Sequence, residues 1–297
     1  MVHLNTYIGR FAPSPSGPLH FGSLIAALGS YLRARAQQGQ WLVRIEDIDP
    51  PREVPGASQQ ILRTLEAYGL HWDGNVLYQS SRLDAYEEQL QQLLSHNKAY
   101  YCQCTRKQIQ AMGAAYDGRC AQRTPRHRQG AIRICNTHPV TQFYDQLLGD
   151  IHIDADFASE DFIIKRRDGL MAYQLAVVMD DALQGVTEVV RGSDLLTSSA
   201  RQSTLYTLLD HPTPHWLHLP LACAEPGRKL SKQNHAPAID TRAPQASINA
   251  ALAFLGQAQC DVDDVDKMLT QAVSQFDISR IPKQTEILLP SNQSEQT

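Results

Sequence analysis

Two hydrophobic periods alternate along the N-terminal third of the chain. "TYIGRFAP" reads as a short strand leaving into a loop, and the apolar residues from Leu19 to Leu32 then recur at helical spacing. "GQWLVRIEDID" predicts a second strand ending in acids, while "ASQQILRTLEAYGL" and "SRLDAYEEQLQQLLSHNK" predict amphipathic helices. Strands that alternate with helices favour a parallel α/β sheet. From Ala99 to about Asp150 the texture changes to clustered Cys, Arg, Gly and Pro with weak periodicity, which predicts an insertion. "FIIKRRDGLMAYQLAVVMDDALQGVTEVVRG" returns to strand and helix patterns, so the sheet is expected to resume there. "SINAALAFL" and "VDKMLTQAVSQF" predict a small helical tail, and "LLPSNQSEQT" a frayed end. The expected division is 1–98 and 151–239 for the two halves of an α/β domain, 99–150 for the insertion and 240–297 for the C-terminal segment. No internal repeat is visible.

Composition narrows the function classes. A chain of 297 residues, 42% hydrophobic and 20% charged, can bury a full core and has room for about two domains. No run approaches the roughly 18 apolar residues of a membrane span, and "MVHLNTYIGR" lacks the basic-then-apolar pattern of a secretory signal, so a cytoplasmic location away from membranes is expected. A net charge of −4 argues against nonspecific coating of nucleic acid but leaves room for a local basic surface that docks one structured RNA. Six cysteines in such a chain point to reduced thiols or metal ligands before a disulfide framework.

Two stretches carry candidate chemistry. In a parallel α/β sheet ligands sit at the carboxyl ends of strands, where a helix N-terminus offers N–H groups to an anion. In "RFAPSPSGPLHFGSLIAAL", Gly17 and Gly22 permit close backbone approach and His20 lies where it can donate to a phosphate. A Pro-rich turn capping a core helix explains the same residues, and the Gly-Lys-Ser/Thr ending of a P-loop is absent. The second stretch, "GRKLSKQN", places Lys229, Ser231 and Lys232 close together. Such a loop can neutralise charge that develops on phosphate, or it can be solvated surface.

Together and in this order the two stretches resemble the paired signatures of class I aminoacyl-tRNA synthetases. "PLHFGS" resembles the "HIGH" motif, "KLSKQ" the "KMSKS" motif, and "GRFAPSPSGPLHFGS" with "RIEDID" the glutamyl branch, a match running from about Tyr7 to Asn234. Ser23 stands where the motif has its second histidine, so no role of that histidine carries over. About 65 residues follow Lys232, too few for the anticodon-binding domain of a full glutamyl enzyme, so only the catalytic half is expected. That feature and the cysteine pattern resemble the glutamyl-queuosine tRNA(Asp) synthetase family. The resemblance implies a Rossmann-type catalytic domain, ATP with Mg²⁺, activation of L-glutamate, and attachment to the queuosine base in the anticodon loop of tRNA(Asp). A monomer is expected.

Site residues follow from the same resemblance. Glutamate presents two carboxylates and one ammonium, which call for arginines and an acid. The resemblance assigns glutamate binding to Arg10, Glu46, Tyr173 and Arg191 and to the backbone of Arg10, Phe11, Ala12, Pro13 and Ser14. Arg10 and Arg191 are expected to meet carboxylates, Glu46 the ammonium, and Tyr173 to give a hydrogen bond. Each also has a plainer reading: an Arg10–Glu46 ion pair between strand ends, Tyr173 packed on an apolar strand, Arg191 in a surface turn. "RGSDLLTSSARQ" resembles the glutamyl pattern, and a site built around a charged side chain rejects the neutral amide by up to about 10⁴-fold. ATP is assigned to His20, Gly22, Lys229, Ser231 and Lys232, with His20 and Lys232 stabilising the transition state.

"YCQCTRKQIQAMGAAYDGRC" places Cys102, Cys104 and Cys120 at spacings that suit a tetrahedral zinc site lacking one ligand. Chemistry alone offers Cys135 or His127 as the fourth; the resemblance implies Tyr116. A structural zinc would hold an insertion too small for its own core, whereas packed, reduced cysteines are the plainer reading. Arg119, Arg123, Arg126, Arg128 and Arg133 gather in a loop that can touch tRNA phosphates or simply be solvated. Two other functions fit parts of the pattern: a shortened glutamyl enzyme that charges a 3′ end, and a zinc-containing RNA-binding protein without catalysis.

Overall fold

A computed structural model describes residues 6–111, 116–122, 129–230 and 237–289. Strand β1 (Ile8–Phe11) passes through the Pro-rich loop into helix α1 (Phe21–Ala36). The helix starts where it does because His20 caps it: the imidazole Nδ1 accepts the Ser23 backbone N–H at 3.3 Å. Leu24, Ile25, Leu28 and Leu32 then fall on one buried face. β2 (Gln40–Ile45), α2 (Ala57–Ala67), β3 (Leu77–Tyr78) and α3 (Leu83–Ser95) follow, giving a parallel sheet in the order β1-β2-β3.

β4 (Ala99–Cys102), α4 (Arg106–Gln110) and β5 (Ala131–Ile134) come next, then the hairpin β6 (Gln142–Asp145) and β7 (Gly149–His152), α5 (Ala155–Ser159) and β8 (Ile163–Lys165). β4, β5 and β8 form an antiparallel sheet of their own. α6 (Tyr173–Leu183), β9 (Glu188–Gly192), α7 (Leu196–Leu208) and β10 (His215–Leu219) complete the parallel core. β10 lies between β9 and β6 and is parallel to both. The two parallel sheets meet along β1 and β9, where the Thr187 N–H donates to Ile8 O at 2.9 Å and the Ile8 N–H to Thr187 Oγ1 at 3.0 Å. The expected α/β fold with a parallel sheet is present.

β11 (Leu221–Glu225), β12 (Arg228–Lys229), α8 (Pro244–Phe254), α9 (Val265–Gln275) and β13 (Glu286–Leu288) end the chain of elements. The two helices bury Ile248, Leu252, Met268 and Leu269 in the same core as α1 and α2. Gly256 makes the closing turn possible: its φ is +67°, and a Cβ there would lie 2.2 Å from Arg280 O. Among the described residues no helix is long and apolar enough to cross a membrane.

Candidate active site

A cleft of about 550 Å³ opens at the carboxyl ends of β1, β9 and β10, lined there by Phe11, Gly192 and Leu219. Pro13, Ser14, His20, Gly22, Lys229 and Leu230 line it too, so both sequence motifs face one space. Ala12 lies between two of these lining residues, and the Pro13 carbonyl accepts the Glu46 N–H at 3.0 Å, tying the loop after β1 to the end of β2. His20 bridges by its backbone to Ala238, which returns the chain beyond the second motif to the first. Since Nδ1 of His20 is an acceptor from Ser23 N–H, the neutral ring carries its hydrogen on Nε2. That contact is to backbone, so serine in place of the motif's second histidine leaves it intact. Lys229 Nζ is paired with the Asp194 carboxylate. Ser231, Lys232 and the Arg123, Arg126, His127 and Arg128 positions lie outside the described residues.

Arg10, Glu46, Tyr173 and Arg191 come together beside this cleft in a cluster of buried charge. Arg10 donates through Nε and Nη2 to both oxygens of Asp181, at 3.0 and 3.3 Å, and Asp181 also accepts Arg44 Nη1 at 2.7 Å. Glu46 pairs with Arg44 at 3.4 Å. The simple Arg10–Glu46 pair is therefore not what forms. Burial alone would raise the Asp181 pKa, but Arg10 and Arg44 hold it below the ordinary carboxylate value. Burial raises the Glu46 pKa, and Arg44 and Arg10 only partly oppose it. Glu46 and Ser14 line a second cleft of about 340 Å³, which shares Ser14 with the first.

Tyr173 opens α6 and does not sit on a strand, and Arg191 is a buried residue of β9, 5% exposed, not a surface turn. Arg191 donates to Tyr173 Oη at 3.4 Å and to Ser199 Oγ at 2.5 Å, and its guanidinium lies 5.0 Å from the Trp216 ring. Burial lowers its pKa, and Arg10 lowers it further by repulsion. Burial, with Glu46 nearby, raises that of Tyr173. Among the described residues Arg191 has no carboxylate within ion-pair distance.

The thiolate donors of Cys102, Cys104 and Cys120 all lie within 4.8 Å of one another, close enough to share one metal ion. Tyr116 Oη is 3.6 Å from Cys102 Sγ and accepts the Cys120 N–H at 3.0 Å, so the phenol belongs to the same cluster. Burial and the neighbouring sulfurs push the Cys104 thiol up to about 11. Gly130, just before β5, packs directly on the backbone of Cys102: at φ +122°, a Cβ there would sit 2.4 Å from Cys102 O. Cys135 is outside the cluster, and Cys223 and Cys260 are buried and free.

Residues 7–245 match the family described as tRNA synthetases class I (E and Q), catalytic domain. The glutamyl-Q tRNA(Asp) synthetase of Shewanella frigidimarina is 67% identical over 96% of this chain and 97% of its own length. That of Escherichia coli K12 is 59% identical over 93% and 91%. The chain belongs to this family of ligases. A glutamate tRNA ligase from Elizabethkingia meningosepticum, solved in complex with its amino acid, superposes with a TM-score of 0.80 at 25% identity, covering 98% of this chain and 68% of that one.

Within this glutamyl-Q tRNA(Asp) synthetase family member, several residues of the cluster escape a reading of motifs. Asp181, His218 and Asp145 lie in no signature, and Arg44, Asp194 and Ser199 stand inside "RIEDID" and "RGSDLLTSSARQ" with no role read from them. One signal was available: "VVMDDAL" places two acids in an apolar helix, and such acids need buried partners. Asp180 finds Gln79, Arg82 and Tyr86, and Asp181 finds Arg10 and Arg44.

Proposed function

We propose that the chain activates L-glutamate with ATP as glutamyl-adenylate and transfers it to the queuosine base of tRNA(Asp). The observation that carries this reading is a buried guanidinium with no acid in contact. Among the described residues Arg10 and Arg44 have Asp181 and Glu46 within ion-pair distance and Asp180 is matched by Arg82, while Arg191 touches no carboxylate. The nearest acid on its hydrogen-bond network, Asp145, reaches it only through His218 and Ser199. Glutamate at neutral pH, with two carboxylates and one ammonium, carries one net negative charge, whereas glutamine carries none. A buried charge costs several kcal/mol unless it is matched, so the site favours the acid.

In this reading Arg191 and Tyr173 take the side-chain carboxylate, Arg10 the α-carboxylate, and Glu46 the ammonium, with the 10–14 backbone around them. The α-carboxylate attacks the α-phosphate of ATP and pyrophosphate leaves, which needs positioning and charge stabilisation and no protein nucleophile. Helix α1 begins at the cleft, His20 carries its hydrogen on Nε2, and Lys229, Ser231 and Lys232 supply the second motif. Mg²⁺ accompanies ATP. Cys102, Cys104, Cys120 and Tyr116 would hold a structural Zn²⁺ that ties together the connection between β4 and β5 within the 99–150 insertion. A cytoplasmic monomer fits a substrate of this kind.

The test is transfer of radiolabelled glutamate to tRNA(Asp) with and without queuosine. Label that depends on queuosine and survives removal of the 3′ terminal adenosine is expected. Label lost with that adenosine would make the chain a 3′-charging enzyme.

A further inference from the structure

A chain of buried polar groups runs from Arg191 into the protein. Arg191 Nη2 donates to Ser199 Oγ, Ser199 Oγ lies 2.9 Å from His218 Nε2, and His218 Nδ1 lies 2.7 Å from Asp145 Oδ2. Ser199 is on α7, His218 on β10 and Asp145 on β6, and all three are fully buried.

The hydrogen positions along this chain follow from chemistry. Asp145 Oδ1 accepts the N–H groups of Leu147 and Leu148, and Oδ2 accepts that of His218, a set of three donors that favours a carboxylate. His218 must therefore carry a hydrogen on Nδ1. Burial keeps the ring neutral, so Nε2 is an acceptor. A guanidinium has only donors, so Ser199 Oγ accepts from Arg191 Nη2 and His218 Nε2 accepts from Arg191 Nε at 3.4 Å, while Ser199 points its own hydrogen at His218 Nε2, 2.9 Å away, with Leu195 O at 3.3 Å as the alternative acceptor.

We propose that Asp145, His218 and Ser199 are positioning residues that orient Arg191 and thereby set selection of a side-chain carboxylate over a carboxamide. This rests on the assignment of Arg191 to that carboxylate. The same three residue types in the same order activate a serine in hydrolases. Here the hydroxyl is buried and occupied by a guanidinium, so it has no path to a substrate carbonyl. The arrangement does something an acid beside Arg191 could not. A carboxylate would orient the guanidinium and also cancel its charge. A neutral hydroxyl and a neutral imidazole orient it and leave the charge for the substrate, while the carboxylate of the chain, Asp145, stands two hydrogen bonds away through His218.

The experiment compares wild type, Ser199→Ala, His218→Gln and His218→Ala in ATP–pyrophosphate exchange with tRNA(Asp) present. KM is measured separately for glutamate and ATP, together with the preference for glutamate over glutamine. Ser199→Ala is expected to raise the glutamate KM about tenfold, to lower the preference by a similar factor, and to leave the ATP KM within about twofold. His218→Gln, whose amide oxygen reaches the Nε2 position, is expected to keep more of the preference than His218→Ala. An unchanged glutamate KM and preference in a variant that melts like wild type would overturn the proposal, as would equal rises in both KM values. Should Ser199→Ala fail to fold, His218→Gln carries the same comparison. Absence of glutamate-dependent exchange in wild type would overturn the functional reading instead.

Discussion

Arg10 and Asp181 are 171 residues apart in sequence and form a two-point, fully buried ion pair, with Nε and Nη2 each directed at one carboxylate oxygen. β1 supplies the guanidinium and α6 the acid, so the pair fastens the first half of the sheet to the second. Removing one partner of such a pair leaves a buried charge uncompensated. Asp181→Asn, which strands Arg10 and Arg44 together, is expected to cost about 3–5 kcal/mol. Urea unfolding followed by circular dichroism measures it, and a cost below about 1 kcal/mol would mean that water reaches the cluster.

Arg191 differs from Arg10 in having no acid of its own, which makes it the residue whose charge the substrate must answer. Arg191→Gln removes that positive charge while keeping a donor. Glutamate kcat/KM is expected to fall by roughly 10²-fold, the scale of a lost buried charge-assisted contact, and the preference over glutamine to shrink with it. Exchange kinetics with the two amino acids read both effects. A variant that keeps its preference would place the selecting group elsewhere.

The sequence made β1, α1 and their loop readable because strand period, helix period and turn residues all agree there. It placed His20 and Lys229 in motifs, and the fold brings both to one cleft. The partners of the buried charges were not readable. Asp181 looks like an error in an apolar helix until Arg10 and Arg44 arrive from two strands, and no local pattern carries a contact across 171 residues. The C-terminal helices show the same limit. Periodicity gives the apolar face of α8, but only the fold shows that α1 covers it. The hairpin of β6 and β7 reads as insertion texture, and yet β6 pairs with β10 and supplies Asp145.

His218 gives a pH dependence with a definite sign. Burial, with Arg191 adding repulsion, holds its pKa below the ordinary 6.5, and the attractions of Asp145 and Asp194 do not outweigh this. The unfolded chain therefore takes up a proton near pH 6.5 that the folded chain refuses. The stabilisation is full above that pH and is lost as pH falls toward the folded value, with a slope of at most about 1.4 kcal/mol per pH unit. His218→Gln removes this contribution. Melting temperatures of wild type and variant between about pH 5 and 8 are expected to converge toward the acid end, and parallel curves would show that His218 does not titrate there.

The cysteine cluster separates two roles that a zinc ion can have in a small insertion. Cys102, Tyr116 and Cys120 form a cluster of their own, apart from the main cores. The strands beside them do not depend on it: Ala99, Ile132, Ile134 and Ile164 of β4, β5 and β8 are buried against α3, α6 and α7. Metal removal should therefore loosen the connection between β4 and β5 and leave the sheet itself folded. Purified protein is expected to hold about one zinc per chain by elemental analysis. Chelation should open Arg106 and Arg119 to trypsin, while the hydrogen-exchange protection of Ile132 and Ile134 persists. Tyr116→Phe keeps the ring under Arg133, 3.9 Å away, and deletes only the oxygen. If that oxygen is the fourth ligand, zinc affinity should fall by at least about tenfold, the scale of losing a group that merely hydrogen-bonds a metal ligand. An unchanged affinity would take the fourth position from Tyr116 and, with Cys135 outside the cluster, give it to His127.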